Sequence, residues 1–370
     1  MNHLRAAAAT TGWGIYCACS WTWCIGMFLP VLLLDRFGWP GFIVFAVPNV
    51  LGCAAFGYLA NPDRIARIRR RGAWILRAFS LVTIGYHVFF AGLATDWLLG
   101  GGGGWRVAAV GAAGGLLVLG WFVSRLPLRA WPWLAGVVYA LSLAVFATVG
   151  AAPLRSIAWD GNDPAWWLWA MAPTIAFGFL LCPYLDLTFH RARQSAPSRH
   201  AFAVFGITFA VMIVLTCAYA ALPAGAARVA VAAHLAVQAI FTVTAHWREL
   251  DAADAPPASR RSHWTGPALV AAAVVAAALG LLALPAAKDM YIRWLVFYGL
   301  LFPAAVLFLV RPWSGPARPP VGGLPFAVGM VVLAPLYELG FLWDRPWILP
   351  ITLASILLAA GRTAGARTGA

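Results

Sequence analysis

The sequence predicts an all-α, polytopic membrane protein of about twelve transmembrane helices, folded as a single transmembrane domain over 1–370. Three observations carry this expectation. Of 370 residues, 62% are hydrophobic and 10% charged, with a mean hydropathy of +0.81; soluble chains carry roughly 25% charged residues. The apolar residues come in runs of about 20, the length that crosses a bilayer core as a helix. The basic residues alternate between the two sides of those runs. Together these exclude a disordered chain, a disulfide scaffold and an ordinary cytosolic enzyme. No stretch between runs is long enough for a separate soluble domain, so any activity sits in the membrane or at its surfaces.

Charge and Pro/Gly punctuation bound each run. The first covers 11–34 and the second 41–60. The first follows a single early Arg5 and continues past signal-peptide length, so it is read as a retained helix. The third covers 74–99 and stops at the glycine run 100–104. The fourth (105–123) and fifth (131–150) precede a polar loop, 151–164. The sixth is long, 165–190, and is followed by 200–221 and 227–247. Residues 248–263 form the most polar segment. The ninth and tenth runs are 264–284 and 291–310; a Pro-rich link then leads to 322–342 and 347–360.

The positive charge tests this map, because Lys and Arg stay on the cytoplasmic side. With both termini cytoplasmic, the outer loops hold only Arg36, Arg106, Arg155, Arg228, Lys288, Arg293 and Arg345 of the 26 basic residues. Every inner loop between spans holds at least two. The net charge of +14 therefore records orientation, and no nucleic-acid partner is expected, since no basic groove-reading segment exists. Lys288 is the sole lysine among many Arg, Ala and Gly, a composition typical of GC-rich bacterial genomes, which suggests a bacterial inner membrane. The six cysteines lie inside apolar runs with no C-x-x-C pair and read as small packing residues.

Two runs carry similar interruptions. The first contains Gly26 and Pro30 before Asp35-Arg36; the sixth contains Gly178, Cys182 and Pro183 before Asp186. Proline removes a backbone donor and glycine loosens the helix. Peptide groups freed there must face protein or a water-filled cavity, because lipid cannot satisfy them. Each interruption opens a set of five spans, and five intervening crossings make the two sets run in opposite directions. The expectation is an inverted repeat, 11–150 and 165–310, with accessory helices over 322–360, its first and sixth helices discontinuous near Gly26 and Gly178. Gly41-Phe42-Ile43-Val44-Phe45 and Ala201-Phe202-Ala203-Val204-Phe205 line up at the start of the following spans. Pro48-Asn49 has no counterpart in the seventh span.

This plan resembles the ten-helix inverted-repeat transporters of the amino acid–polyamine–cation superfamily, with the LeuT-type fold of the sodium:solute symporters. The resemblance is architectural, covers about 11–310, and matches no signature string. It implies a small-molecule solute site built from the two breaks: Trp23, Cys24, Gly26 and Pro30 on one, Gly178, Cys182 and Pro183 on the other. Tyr86 of the third span would be a wall or gate, beside His87. Thr242 and Thr244 lie near where that family holds a sodium ion between the first and eighth helices. The family often shows two adjacent hydroxyls there; Val243 separates these two, so at most one faces an ion. The coupling ion would be Na+ or H+, with no other cofactor.

Asp186 and Glu338 are the acids set most clearly inside spans, where a carboxylate needs a partner or a cavity. Asp186 either couples protons or pairs with His190 or Arg191; Glu338 is read as an interfacial ion pair near Asp344 and Arg345. His87 and His234 read as hydrogen-bonded packing residues. The leading function is ion-coupled secondary transport, not enzymatic catalysis. Two alternatives stay open: a membrane-embedded lipid-linked transferase, and a sensor or scaffold that keeps a transporter fold. The loop acids Asp160-Gly161-Asn162-Asp163 read as a turn and Glu249, Asp251 and Asp254 as a solvated linker. No P-loop supports ATP-driven pumping.

Overall fold

The computed structural model describes residues 2–99, 104–150, 152–218, 226–251, 287–313 and 323–365. The chain is a polytopic helical membrane protein. Among the described residues, eight helices are long and apolar enough to cross a bilayer, and nine if the bent first pair is one span. The expected seventh and twelfth spans appear as shorter apolar helices, Ala201–Thr216 and Ile348–Arg362. The expected ninth, 264–284, lies outside the described residues.

The order begins with α1 (Asn2–Trp21), α2 (Cys24–Phe37) and α3 (Trp39–Leu59). Next come α4 (Pro62–Leu99), α5 (Trp105–Val123) and α6 (Trp131–Val149). The loop after α6 holds one short turn, α7 (Ala152–Arg155), before α8 (Ala165–Leu181), a 3-10 turn (Cys182–Tyr184) and α9 (Leu187–Ser195). Then follow α10 (Ala201–Thr216) and α11 (Ala226–Asp251). The next span, α12, begins as Ala287–Val296 and passes through a π segment Phe297–Leu301, a short α stretch Phe302–Ala305 and a second π segment Val306–Val310. It is followed by α13 (Gly323–Leu342) and α14 (Ile348–Gly365).

Composition explains the helices' faces. Inward positions carry aromatic residues such as Phe45, Phe79, Phe189, Phe205 and Trp131, all fully buried. Outward positions are also apolar: Val107, Val110 and Phe122 on α5, and Val328, Val331 and Val332 on α13. In water such faces would be aggregation surfaces; in a bilayer they are the lipid contact. α4 has a kink at Gly72 (φ −112°, ψ 16°). This divides the Arg-rich turns 62–71, which the apolar pattern did not reveal, from the apolar run that starts at Trp74.

The packing is ordered. α1 lies against α10, α6 and α11, while α3 lies against α8 and α10. α4 packs on α11, α5 and α12, and α8 packs on the first π segment of α12. Two close approaches set this frame. Gly38 links α2 to α3 at φ +63°, and a Cβ there would stand 2.0 Å from Trp159 O. A Cβ on Gly178 would stand 2.7 Å from Tyr298 O, so only glycine lets α8 meet the π segment.

Both expected interruptions exist, but displaced. The first helix breaks at Thr22-Trp23 with a 62° bend, not at Gly26; Gly26 and Pro30 sit inside α2. The sixth ends α-helical geometry at Leu181, three residues after Gly178, and resumes at Leu187.

Candidate functional site

The first break frees backbone groups that three distant helices then satisfy. Trp23 is extended (φ −74°, ψ 173°), so Cys19 and Ser20 lose their i+4 donors. Thr242 Oγ1 of α11 donates to Cys19 O at 3.2 Å, and the Trp23 indole N–H turns back to Ser20 O. On the far side, the Cys24 N–H donates to His87 Nε2 of α4 at 3.2 Å. His87 Nδ1 lies 2.7 Å from Thr83 O, which fixes Nδ1 as the protonated nitrogen and leaves Nε2 as acceptor. Tyr291 of α12 donates to Cys24 O at 3.0 Å, and Tyr86 in turn donates to Tyr291 O at 2.9 Å.

A cavity of ≈ 350 Å³ ends on this break, within the size range of small-molecule pockets. Its deep end is formed by Trp21, Trp23, Asn49, Gly178, Cys182 and Tyr298. Apolar residues of α2, α8 and α12 make the walls. Asp35, Arg36, Asp163, Lys288, Asp289 and Asp344 form the mouth, where the end of α2, the start of α8 and the start of α12 meet. α2 rises about 20 Å over its length at 1.5 Å per residue, which sets the deep end well inside a core of about 30 Å.

At that deep end the polar groups are few and mostly engaged. Trp21 Nε1 donates to Asn49 Oδ1 at 2.7 Å, and Cys182 Sγ contacts Tyr298 O at 3.3 Å. Tyr298 OH lies 3.0 Å from Thr83 Oγ1. Trp21, Trp23 and Tyr298 form an aromatic cluster, with centroids 4.3 Å and 5.2 Å from Trp23. At the mouth Arg36 pairs with Asp163 and, at 3.6 Å, with Asp344. The loop 160–163 is thus docked on the end of α2, with Asp163 N donating to Arg36 O at 2.7 Å.

Of the residues expected to bind solute, Trp23, Gly26, Gly178 and Cys182 lie on the cavity wall. Cys24, Pro30, Tyr86 and Pro183 are buried and are not on it. Tyr86 stacks on Trp294 at 5.3 Å instead. Of the two threonines, Thr242 reaches the broken helix, whereas Thr244 Oγ1 bonds back to Phe241 O at 2.8 Å.

Asp186 is fully buried at the start of α9. Its Oδ1 accepts from Thr188 N and Thr188 Oγ1, both at 2.7 Å, as an N-cap. The expected partners are engaged elsewhere. His190 Nε2 lies 3.1 Å from Tyr184 O and its ring stacks on Phe56; Arg191 is bidentate on Glu249. The group facing Asp186 Oδ2 is His246 Nε2, at 3.9 Å. Sequence reasoning missed His246, although it sits one turn from Thr242 on the same face of α11. Glu249, expected in a solvated linker, is buried in α11 between Arg191 and Arg248; Asp254 lies outside the described residues. Glu338 does form an ion pair, with Arg293 at 2.8 Å rather than Arg345. The six cysteines are free and buried. The chain matches no protein-family model and no curated protein.

Proposed function

We propose that the protein is a secondary active transporter of a small solute, not an enzyme, working by alternating access around the break between α1 and α2. The observation that carries this is the placement of the cavity. It runs between α2, α8 and α12 and stops on unwound backbone inside the span. Irregular backbone at that depth is tolerated only where protein or a water-filled cavity satisfies it, and transporters place solute sites there.

The packing supports a five-plus-five inverted repeat. Under exchange of spans one to five with six to ten, the contact of α3 with α8 becomes that of α10 with α1, and both exist. The contacts of α3 with α10 and of α4 with α11 map onto themselves, and both exist too. In this reading α1–α2 and α8–α9 are the two discontinuous helices of a LeuT-type core, and α13–α14 are accessory. Trp23, Gly26, Gly178 and Cys182 touch the solute; Cys24, Pro30 and Pro183 shape the breaks. Thr242 and Asp186 are the candidate ion-coupling groups. In this reading the cavity mouth opens outside and both termini lie in the cytoplasm of a bacterial cell, which the charge split supports.

Uptake into proteoliposomes containing the full chain, under imposed sodium or proton gradients and across a panel of small solutes, tests the reading. One gradient should drive accumulation that collapses when an ionophore dissipates it. Solute entry equal to that of protein-free liposomes across the panel overturns it.

A further inference from the structure

Two buried polar atoms face each other across a narrow gap. Asp186 Oδ2 and His246 Nε2 are 3.9 Å apart, both side chains are fully buried, and neither atom has a hydrogen-bond partner. Orphaned buried polar atoms are uncommon and costly. Here two of them share one gap, too narrow for a bridging water yet wider than a formed hydrogen bond. If both atoms were bare acceptors, the arrangement would be repulsive. One proton resolves it, as Asp186 Oδ2–H donating to Nε2 or as Nε2–H donating to Oδ2. Ser80 Oγ of α4 holds the other imidazole nitrogen, Nδ1, at 3.1 Å and so aims Nε2 at the gap.

We propose, on the basis of the transport reading above, that Asp186 and His246 together bind the coupling ion and that this ion is a proton. An imidazole nitrogen is a poor sodium ligand and a good proton acceptor. Thr242, the hydroxyl placed where a sodium site would be, already donates to Cys19 O. The surroundings leave the pair to itself. Within electrostatic reach of Asp186 are Tyr16 and Cys17 on α1, Cys53 on α3, Cys182 in the 3-10 turn, Glu249 on α11 and Tyr298 on α12. His87 on α4 is within electrostatic reach of His246. The nearby cations Arg191 and Arg248 are held on Glu249. His246 is thus the only basic group paired with Asp186 among the described residues.

The pair reaches both broken helices. Asp186 Oδ1 binds Thr188, whose hydroxyl lies 3.0 Å from Ser20 Oγ at the end of α1. The His246 ring lies edge-on to Trp23, 5.7 Å between centroids, and Trp23 is part of the cavity's deep end. Uptake of a proton at the gap therefore alters bonds to α1 and α9 and the support of Trp23; its release restores them. Trp23 touches both the His246 ring and the cavity, which gives proton and solute a shared contact through which each biases the states of the other.

The test uses purified full-length protein. In pH-difference infrared spectra, the wild type should show the carbonyl stretch of a buried carboxylic acid that titrates with pH. Asp186→Asn should lose that band, and His246→Gln should change its frequency and titration range. Ser80→Ala should change it in the same sense and serves if His246→Gln does not fold. In proteoliposomes, Asp186→Asn should lose proton-driven accumulation while keeping solute exchange. A band that persists in Asp186→Asn, or is unmoved in both His246→Gln and Ser80→Ala, overturns the proton site. A band behaving as proposed alongside sodium-driven, pH-independent uptake overturns the coupling role. The same band with no uptake of any solute overturns the transport reading and leaves the proton site standing.

Discussion

His87 illustrates how one side chain stabilises the break. It accepts the Cys24 N–H and donates to Thr83 O, so both ring nitrogens are used in one tautomer. His87→Leu should lower unfolding stability by about 1–3 kcal/mol, because a buried backbone N–H loses its only partner; denaturant unfolding in detergent checks this. The two threonines of α11 make a paired test. Thr242→Val removes the donor to Cys19 O and should cost about 1 kcal/mol, the net worth of a typical hydrogen bond. Thr244→Val removes only a bond to its own helix and should stay within about 0.5 kcal/mol. Equal losses for both would show that Cys19 O does not depend on α11. The sequence allowed one of these threonines to face the first helix and did not say which. Helical spacing puts them on different faces, and only the tertiary contact selects Thr242.

At the scale of elements, the contact between α8 and the first π segment of α12 closes the deep end of the cavity. π segments displace carbonyls from the regular ladder and concentrate at functional sites; here the displaced segment supplies Tyr298 O to Cys182 and leaves room only for glycine at 178. Gly178→Val should destabilise by about 1–3 kcal/mol through overpacking and reduce solute binding. Gly136→Ala on α6, where a Cβ meets nothing within 4 Å, should be neutral or gain about 0.5–1 kcal/mol of helix propensity. Loss of the same size at both positions would contradict a close approach specific to Gly178. The spans were legible because apolar runs of helical length have no other home. The positions of the breaks were not. Gly26 and Pro30 are tolerated inside α2, while the helix parts at Thr22-Trp23, where His87, Thr242 and Tyr291 supply partners from three other helices. The Asp186–His246 gap was hidden for the same reason: its halves lie on different helices, and nearer cations offered themselves in sequence but turned elsewhere in the fold.

For the whole molecule, sidedness follows from charge and from where the described helices end. The cavity mouth gathers Arg36 at the end of α2 and Lys288 and Asp289 at the start of α12, on the side that holds the minority of basic residues. The opposite end gathers Arg191, Arg248 and Glu249, next to the Arg-rich start of α4. The end of α11 and the start of α12 therefore lie at opposite ends of the bundle, as the twelve-span map requires on either side of 264–284. By the positive-inside rule the mouth is expected on the outer side. Cysteine labelling in intact cells decides the point, and the buried native cysteines keep the background low. A membrane-impermeant thiol reagent should label Asp289→Cys at the exposed mouth and leave Asp63→Cys, exposed at the other end, unlabelled until the membrane is opened. Labelling of Asp63→Cys alone would invert the molecule and turn the cavity toward the cytoplasm. Labelling of both from outside would require an even number of crossings between them and would break the inverted repeat, because five-plus-five symmetry needs the two breaks to enter from opposite sides.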